Sequence, residues 1–166
     1  MTTTPPWGPP VDDAPLPGAT FTQAIGRFFL RATVFTGRAS PSELWWTVLF
    51  HVLVSLCWLV AMSVGVGVAE ALSPARLSPH DQVPAAGVVG IAFGVMLGLY
   101  GLAMVVPLIA LRARRLHDAG YSGWLQLLLL VPMADLVVLV LLLLPSNPQG
   151  RRFDRGAVVG TWMPPA

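Results

Sequence analysis

Two long stretches of this chain carry no charge: nothing between Glu43 and Glu70, and nothing between Asp81 and Arg112. Each exceeds the roughly 20 apolar residues with which a helix crosses the hydrocarbon core of a bilayer. In hydrocarbon, backbone N–H and C=O groups are satisfied only within helices or closed barrels, so few folds remain open to such a chain. Composition agrees. Charged residues make up 11% of the sequence and hydrophobic ones 55%. A soluble domain carries about 25% charged residues, so polar surface here is too scarce to face water all round. The expected fold class is an all-α membrane protein, with about three transmembrane helices and an amino-terminal interfacial amphipathic helix.

The segments follow in order. Residues 1–19 hold Pro5, Pro6, Pro9, Pro10, Pro15 and Pro17 with Asp12 and Asp13, and read as a disordered, proline-rich tail rather than a signal peptide. A membrane domain over 20–153 comes next. Over residues 20–36, Phe21, Ala24, Ile25, Phe28, Ala32 and Phe35 recur at helical spacing behind Thr20 as N-cap. Arg27 and Arg31 are placed on the opposite, wet face of that helix, which either lies in the membrane interface or packs on the protein. The spans are expected at about 44–69, 85–111 and 124–144, with a polar tail over 154–166. Pro132 and Asp135 interrupt the third segment, but its 21 residues reach roughly 31 Å as a helix, so a full crossing is preferred to re-entry.

All ten basic residues are Arg, and the net charge of +2 is too small and scattered for nucleic-acid binding. Cys57 lies in the first apolar run as a small apolar residue. With three crossings, the amino terminus and second loop share Arg27, Arg31, Arg38, Arg112, Arg114 and Arg115, against Arg76, Arg151, Arg152 and Arg155 on the other side. If the third segment re-enters, the imbalance grows to nine against one. Either count puts the amino terminus in the cytoplasm. The preferred crossing puts the carboxyl tail outside.

Two charged motifs flank the spans: G-R-A-S-P-S-E-L-W-W, from Gly37 to Trp46, and R-A-R-R-L-H-D-A-G-Y-S-G-W, from Arg112 to Trp124. In these the chain resembles the bacterial inner-membrane proteins grouped as domain of unknown function 805. The family pattern of an aromatic followed by x-G-R-x-S-R-x-E-[FY]-W falls on Phe35 to Trp45, with Pro41 in place of Arg and Leu44 in place of the aromatic. The pattern R-R-L-H-D-x-G-x-S-G-W is met at every specified position from Arg114 to Trp124. The closing N-R-[FY]-G falls on Arg151, Arg152, Phe153 and Asp154, with Arg151 and Asp154 departing from it. The resemblance implies a multi-pass protein of the bacterial inner (cytoplasmic) membrane. It implies no activity.

The residues themselves suggest roles. Charges at a dry interface are costly unless paired. Arg38, Glu43, Arg114, Arg115, His117 and Asp118 therefore form the candidate charged network or anion and lipid site. Asp118 is within reach of both Arg114 and Arg115 at helical spacing, and Glu43 is expected to pair with Arg114 or Arg115. Gly120 and Gly123 then let the chain turn before Trp124. Glu43, Thr47, His51 and Ser55 make a polar stripe on one helix face, with Thr47 and Ser55 expected to bond their own backbone. His51 and Asp135 are the candidate intramembrane polar residues. Gly90, Gly94 and Gly98 form a close-packing face, within the protein or across a homo-oligomer. No catalytic, cofactor or metal constellation stands out. Gly120–Gly123 spells G-x-S-G, but an intramembrane serine protease needs a His held at the Ser. The function expected is a non-enzymatic membrane component binding anionic lipid headgroups or a partner protein through its cytoplasmic Arg clusters. The alternative is a small transporter or channel subunit using Glu43, His51 and Asp135.

Overall fold

The computed structural model describes residues 13–72, 85–131 and 134–154. Every regular element among them is helical: α1 (Phe21–Leu30), α2 (Pro41–Leu72), α3 (Ala85–Asp118), a 3₁₀ helix (Gly123–Leu130), α4 (Asp135–Leu143) and a final 3₁₀ helix (Pro148–Phe153). The chain divides into two compact units, Met1–Thr47 with Val106–Ala166, and Val48–Val105.

The second unit consists of the apolar stretches of α2 and α3. Both helices are long and apolar enough to cross a membrane, and in the most apolar window of each no residue is buried. The core helix of a soluble protein buries that surface; here Leu56, Leu59, Val60, Ile91, Leu99 and Leu102 are all exposed. Within this unit the helices run antiparallel, with Trp58 against Phe93 at 5.4 Å and His51 near Tyr100 at 6.1 Å between ring centres. Gly65 is the close approach, where a methyl group would sit 3.4 Å from Phe93 and Val89. Gly90, Gly94 and Gly98 face open space among the described residues.

The first unit holds every charged residue but Glu70, Arg76 and Asp81. Helix α1 is capped at Thr20, whose hydroxyl accepts from the Gln23 N–H while the Gln23 side chain accepts from the Thr20 N–H. It ends at Leu30, earlier than its periodicity predicts. It is packed on the protein, with Ala24 and Phe28 buried and Phe21 edge-on to Trp46 at 5.8 Å. Arg31 was expected on the wet face and is instead fully buried. The reason is geometric: positions 24, 27, 28 and 31 share one helix face, so the two Arg side chains enter with the apolar residues.

Helix α2 starts at a second reciprocal cap. The Ser40 N–H donates to Glu43 Oε2 at 2.7 Å, and the Glu43 N–H donates to Ser40 Oγ at 3.3 Å. Pro41 sits in the first helical turn, where its missing N–H costs nothing. This extends the helix three residues upstream of the expected span. Helix α3 likewise continues past its apolar run through Arg112–Asp118 and stops at Gly120, whose φ of +87° turns the chain.

The third segment departs from expectation. It is not one helix but two short ones, of 8 and 9 residues. At the rises of 3₁₀ and α helices these reach roughly 16 Å and 14 Å, each about half a bilayer core. They pack against each other. Residues 13–19, expected as a solvated tail, are also held: the Leu16 carbonyl accepts from Ser40 Oγ at 2.6 Å, and Trp46 Nε1 donates to the Ala19 carbonyl at 2.7 Å. The rest of that tail, the loop with Arg76, His80 and Asp81, and the residues after Asp154 lie outside the described residues.

Candidate functional site

The first unit is organised by two ionic clusters. In one, Glu43, 3% exposed, takes Arg27 Nε at 2.7 Å on Oε1, and the N–H groups of Ser40 and Leu16 on Oε2. Arg31, fully buried, pairs with Asp13 at 2.9 Å. Arg114 lies in the same neighbourhood, its Nε donating to the Ala110 carbonyl at 3.2 Å and its own carbonyl accepting from the Ala39 N–H. Burial first, and then the positive Arg31, lower the Arg114 pKa to about 10, against the opposing pull of Glu43. It remains a cation at neutral pH. Glu43 thus pairs with Arg27 rather than with Arg114 or Arg115, because its capping role turns it toward α1 and Leu16.

The second cluster joins the α3 terminus to the carboxyl segment. Arg115 pairs with Asp118 at 2.9 Å, both fully buried, and also donates to the Leu144 carbonyl. Asp118 accepts from Ser146 Oγ at 2.5 Å, while Arg38 stands 3.9 Å away. Arg38 instead grips Asp154 with two nitrogens, at 2.7 and 2.9 Å. Burial raises the Asp118 carboxyl above the usual carboxylate range, with Ser146, Arg115 and Arg38 pulling it back. Backbone bonds complete the join: Asn147 N–H to Asp118 O at 2.7 Å, and Gly37 N–H to Phe153 O at 2.9 Å. Residues 144–154 are therefore bound to the same structure as the start of α2 and the end of α3. Arg114, expected to reach Asp118, does not.

His117 links the two halves. Its Nδ1 lies 3.1 Å from the Gly37 carbonyl, which makes Nδ1 the protonated nitrogen and leaves Nε2 an acceptor. Its ring stacks on Phe153, 4.0 Å away and 8° from parallel, and Arg152 covers Phe153 at 4.8 Å. Burial lowers the His117 pKa from the ordinary histidine value; the bond to the Gly37 carbonyl opposes this and the positive Arg152 adds to it.

Beside His117 opens a cleft of about 460 Å³. Its walls are Phe35, Ala113, Trp124 and Phe153, and its polar groups are His117, Ser122, Gln126 and Thr36. Among the described residues no charged side chain lines it. Gly123 keeps it open: a methyl group there would stand 3.1 Å from both His117 Nε2 and the Ala113 side chain. Gly120 supplies the turn; Gly123 supplies space. Gln126 Oε1 is buried with no hydrogen-bond partner among the described residues, and Trp124 is 77% exposed.

The remaining candidates behave separately. Thr47 and Ser55 hydroxyls bond the carbonyls four residues back, at 2.8 Å each. The His51 ring lies edge-on to Phe50 at 5.3 Å. Nothing is described for the Asp135 side chain beyond its place at the start of α4. Asp13, Arg27, Arg31, Ser146 and Asp154 were absent from the sequence-derived set. For Glu43 a signal existed, since Ser40 to Glu43 spells the S-x-x-E capping box. For Asp13 and Asp154 none did.

A family model described as a protein of unknown function (DUF805) matches residues 32–155. The chain belongs to that family. No curated protein and no solved structure matches it. The matched stretch contains the whole Arg38–Arg115–Asp118–Asp154 cluster and every residue of the cleft. It leaves out Asp13, Arg27 and Arg31, which brace Glu43 and its surroundings from the amino-terminal side.

Proposed function

We propose that this DUF805 member is a non-enzymatic protein of the bacterial inner membrane that holds a phospholipid headgroup in the His117–Trp124 cleft. The two long helices cross the bilayer. The 3₁₀–α4 pair dips in and returns, and α1 lies at the interface with its exposed Phe29 and Leu30 toward lipid. The amino terminus, the second loop and the carboxyl segment then share the cytoplasmic side with nine Arg, leaving Arg76 alone outside.

The observation that carries the reading is a division of roles. The guanidinium groups of Arg27, Arg31, Arg38 and Arg115 each face a carboxylate and brace the fold. The cleft beside them combines an exposed Trp, apolar walls and uncharged polar groups at the depth where apolar helix gives way to charge. Lipid binding is thus assigned to the cleft rather than to the Arg clusters themselves. Trp124→Ala removes an exposed ring at little cost to folding. Purified full-length protein should retain phospholipid through detergent exchange, and Trp124→Ala should retain roughly tenfold less, as a loss of about 1.4 kcal/mol implies. Native mass spectrometry reads this directly. Equal retention by both proteins would contradict the reading.

A further inference from the structure

We infer that residues 144–154 form a strap that completes the cleft, so that strap docking and headgroup binding favour one another. This rests on the lipid-binding reading and adds how that site is regulated.

The cleft is assembled from separate pieces of chain. Phe35 and Thr36 come from the stretch before α2, Ala113 and His117 from the end of α3, and Trp124 and Gln126 from the 3₁₀ helix that follows. Phe153 comes from the strap. Its ring stacks on His117 at 4.0 Å, and its carbonyl accepts from the Gly37 N–H at 2.9 Å. The next residue, Asp154, holds Arg38 at 2.7 Å. Gly37 and Arg38 directly follow Phe35 and Thr36 in the chain. Releasing the strap therefore removes one wall of the cleft, unstacks His117 and unties a second wall at its base.

The strap is fastened mainly by polar bonds. Of residues 146–154 only Gly150 is buried. The Arg38–Asp154 pair is 11% and 20% exposed, and Arg152 reaches the Gly120 carbonyl at 3.0 Å from an exposed position. Segments with few buried apolar contacts open locally at low free-energy cost, while the rest of the fold stays intact. An occupant of the cleft that touches Phe153 has that contact only while the strap is docked. A ligand shifts an equilibrium by its differential affinity for the two states, and the coupling is reciprocal. Headgroup binding holds the strap down, and a docked strap tightens headgroup binding. Arg38 and Asp154 are then positioning residues for a site they do not line.

Trypsin tests this on the full-length protein, because cutting the Arg152–Phe153 bond requires Phe153 to leave His117. The probe is an equal mixture of dioleoyl phosphatidylethanolamine and dioleoyl phosphatidylglycerol in detergent, at ten times the concentration that half-saturates the protein by native mass spectrometry. Cleavage after Arg152, read by intact-protein mass spectrometry, should slow about tenfold in the wild type, the factor by which a ligand specific to the docked form suppresses opening at that excess. Trp124→Ala, at the same lipid concentration, should lose most of that protection. Lipid that is retained by the wild type and lost in Trp124→Ala, yet leaves the cleavage rate unchanged, would overturn the coupling and leave the lipid reading standing. Faster cleavage with lipid would overturn it too, because the occupant would then favour the released strap. So would equal protection of both proteins, which would place its source outside the cleft. Equal lipid retention by wild type and Trp124→Ala would remove both readings.

Discussion

Glu43→Gln is expected to lose most of the folded protein. The carboxylate does three things at once. It neutralises Arg27 at 2.7 Å, closes the α2 cap through the Ser40 N–H, and ties down Leu16. Its side chain is 3% exposed, so solvent cannot take over these bonds. Breaking one side of a buried pair costs about 3–5 kcal/mol, compared with the roughly 0–1 kcal/mol of an exposed pair. The capping bond itself survives, since Gln accepts from the Ser40 N–H as Gln23 does from Thr20. Against a total stability of about 5–15 kcal/mol, the broken pair is a large share. The loss also leaves Arg27, Arg31 and Arg114 facing Asp13 alone among the charges that act on Arg114. Arg27→Gln should cost less, because that side chain is 20% exposed, and the double variant should lose less than the sum of the two. Fluorescence-detected size exclusion after graded heating measures all three. Wild-type behaviour of Glu43→Gln would mean the pair is dispensable.

Gly150→Ala should detach the carboxyl segment. A methyl group at Gly150 would overlap the His117 carbonyl oxygen and press on Arg38 Cδ at 3.1 Å. The overlap is with backbone in the last turn of α3, which cannot rotate away as a side chain would. Overpacking a tight site costs about 1–3 kcal/mol, occasionally more. The bonds at risk are those that hold the segment: Arg38 to Asp154, Asn147 N–H to the Asp118 carbonyl, and the Phe153 stack on His117. Because these lie next to one another, they should fail together. Trypsin provides the readout, since Arg151 and Arg152 sit in the released stretch. Cleavage there should be at least about tenfold faster than in the wild type, matching a shift of 1.4 kcal/mol or more in local opening. Unchanged cleavage would show that the segment is held by other means.

Much of this was legible in the sequence, and the failures have physical causes. The two uncharged runs located α2 and α3 to within a few residues, since charge-free length is a strong constraint when backbone must be satisfied in hydrocarbon. Both helices overran the expected spans because a capping box and a charged amphipathic end extend a helix without adding hydropathy. Arg38, Arg115 and Asp118 were grouped from their motifs, and they do meet. The partner Asp154 could not be found, because a pairing across 116 residues leaves no trace in local spacing, and Asp13, 18 residues before Arg31, lies in a proline-rich stretch that shares no helical register with it. The third segment forms two short helices where one continuous helix is expected, and Pro132 and Asp135 stand where the hydrophobic run is interrupted. Arg27 and Arg31 were assigned to the wrong helix face by treating charge as a guide to exposure. Their spacing from Ala24 and Phe28 points inward.

In the proposed topology the carboxyl segment lies on the same side of the membrane as the two charged motifs. Single cysteines placed in a Cys57→Ser background at Thr22, His80 and Gln149, and exposed to a membrane-impermeant maleimide in sealed right-side-out vesicles, test it most directly. His80→Cys should be labelled at once, whereas Thr22→Cys and Gln149→Cys should react only after the membrane is opened. Labelling of Gln149→Cys together with His80→Cys would contradict it.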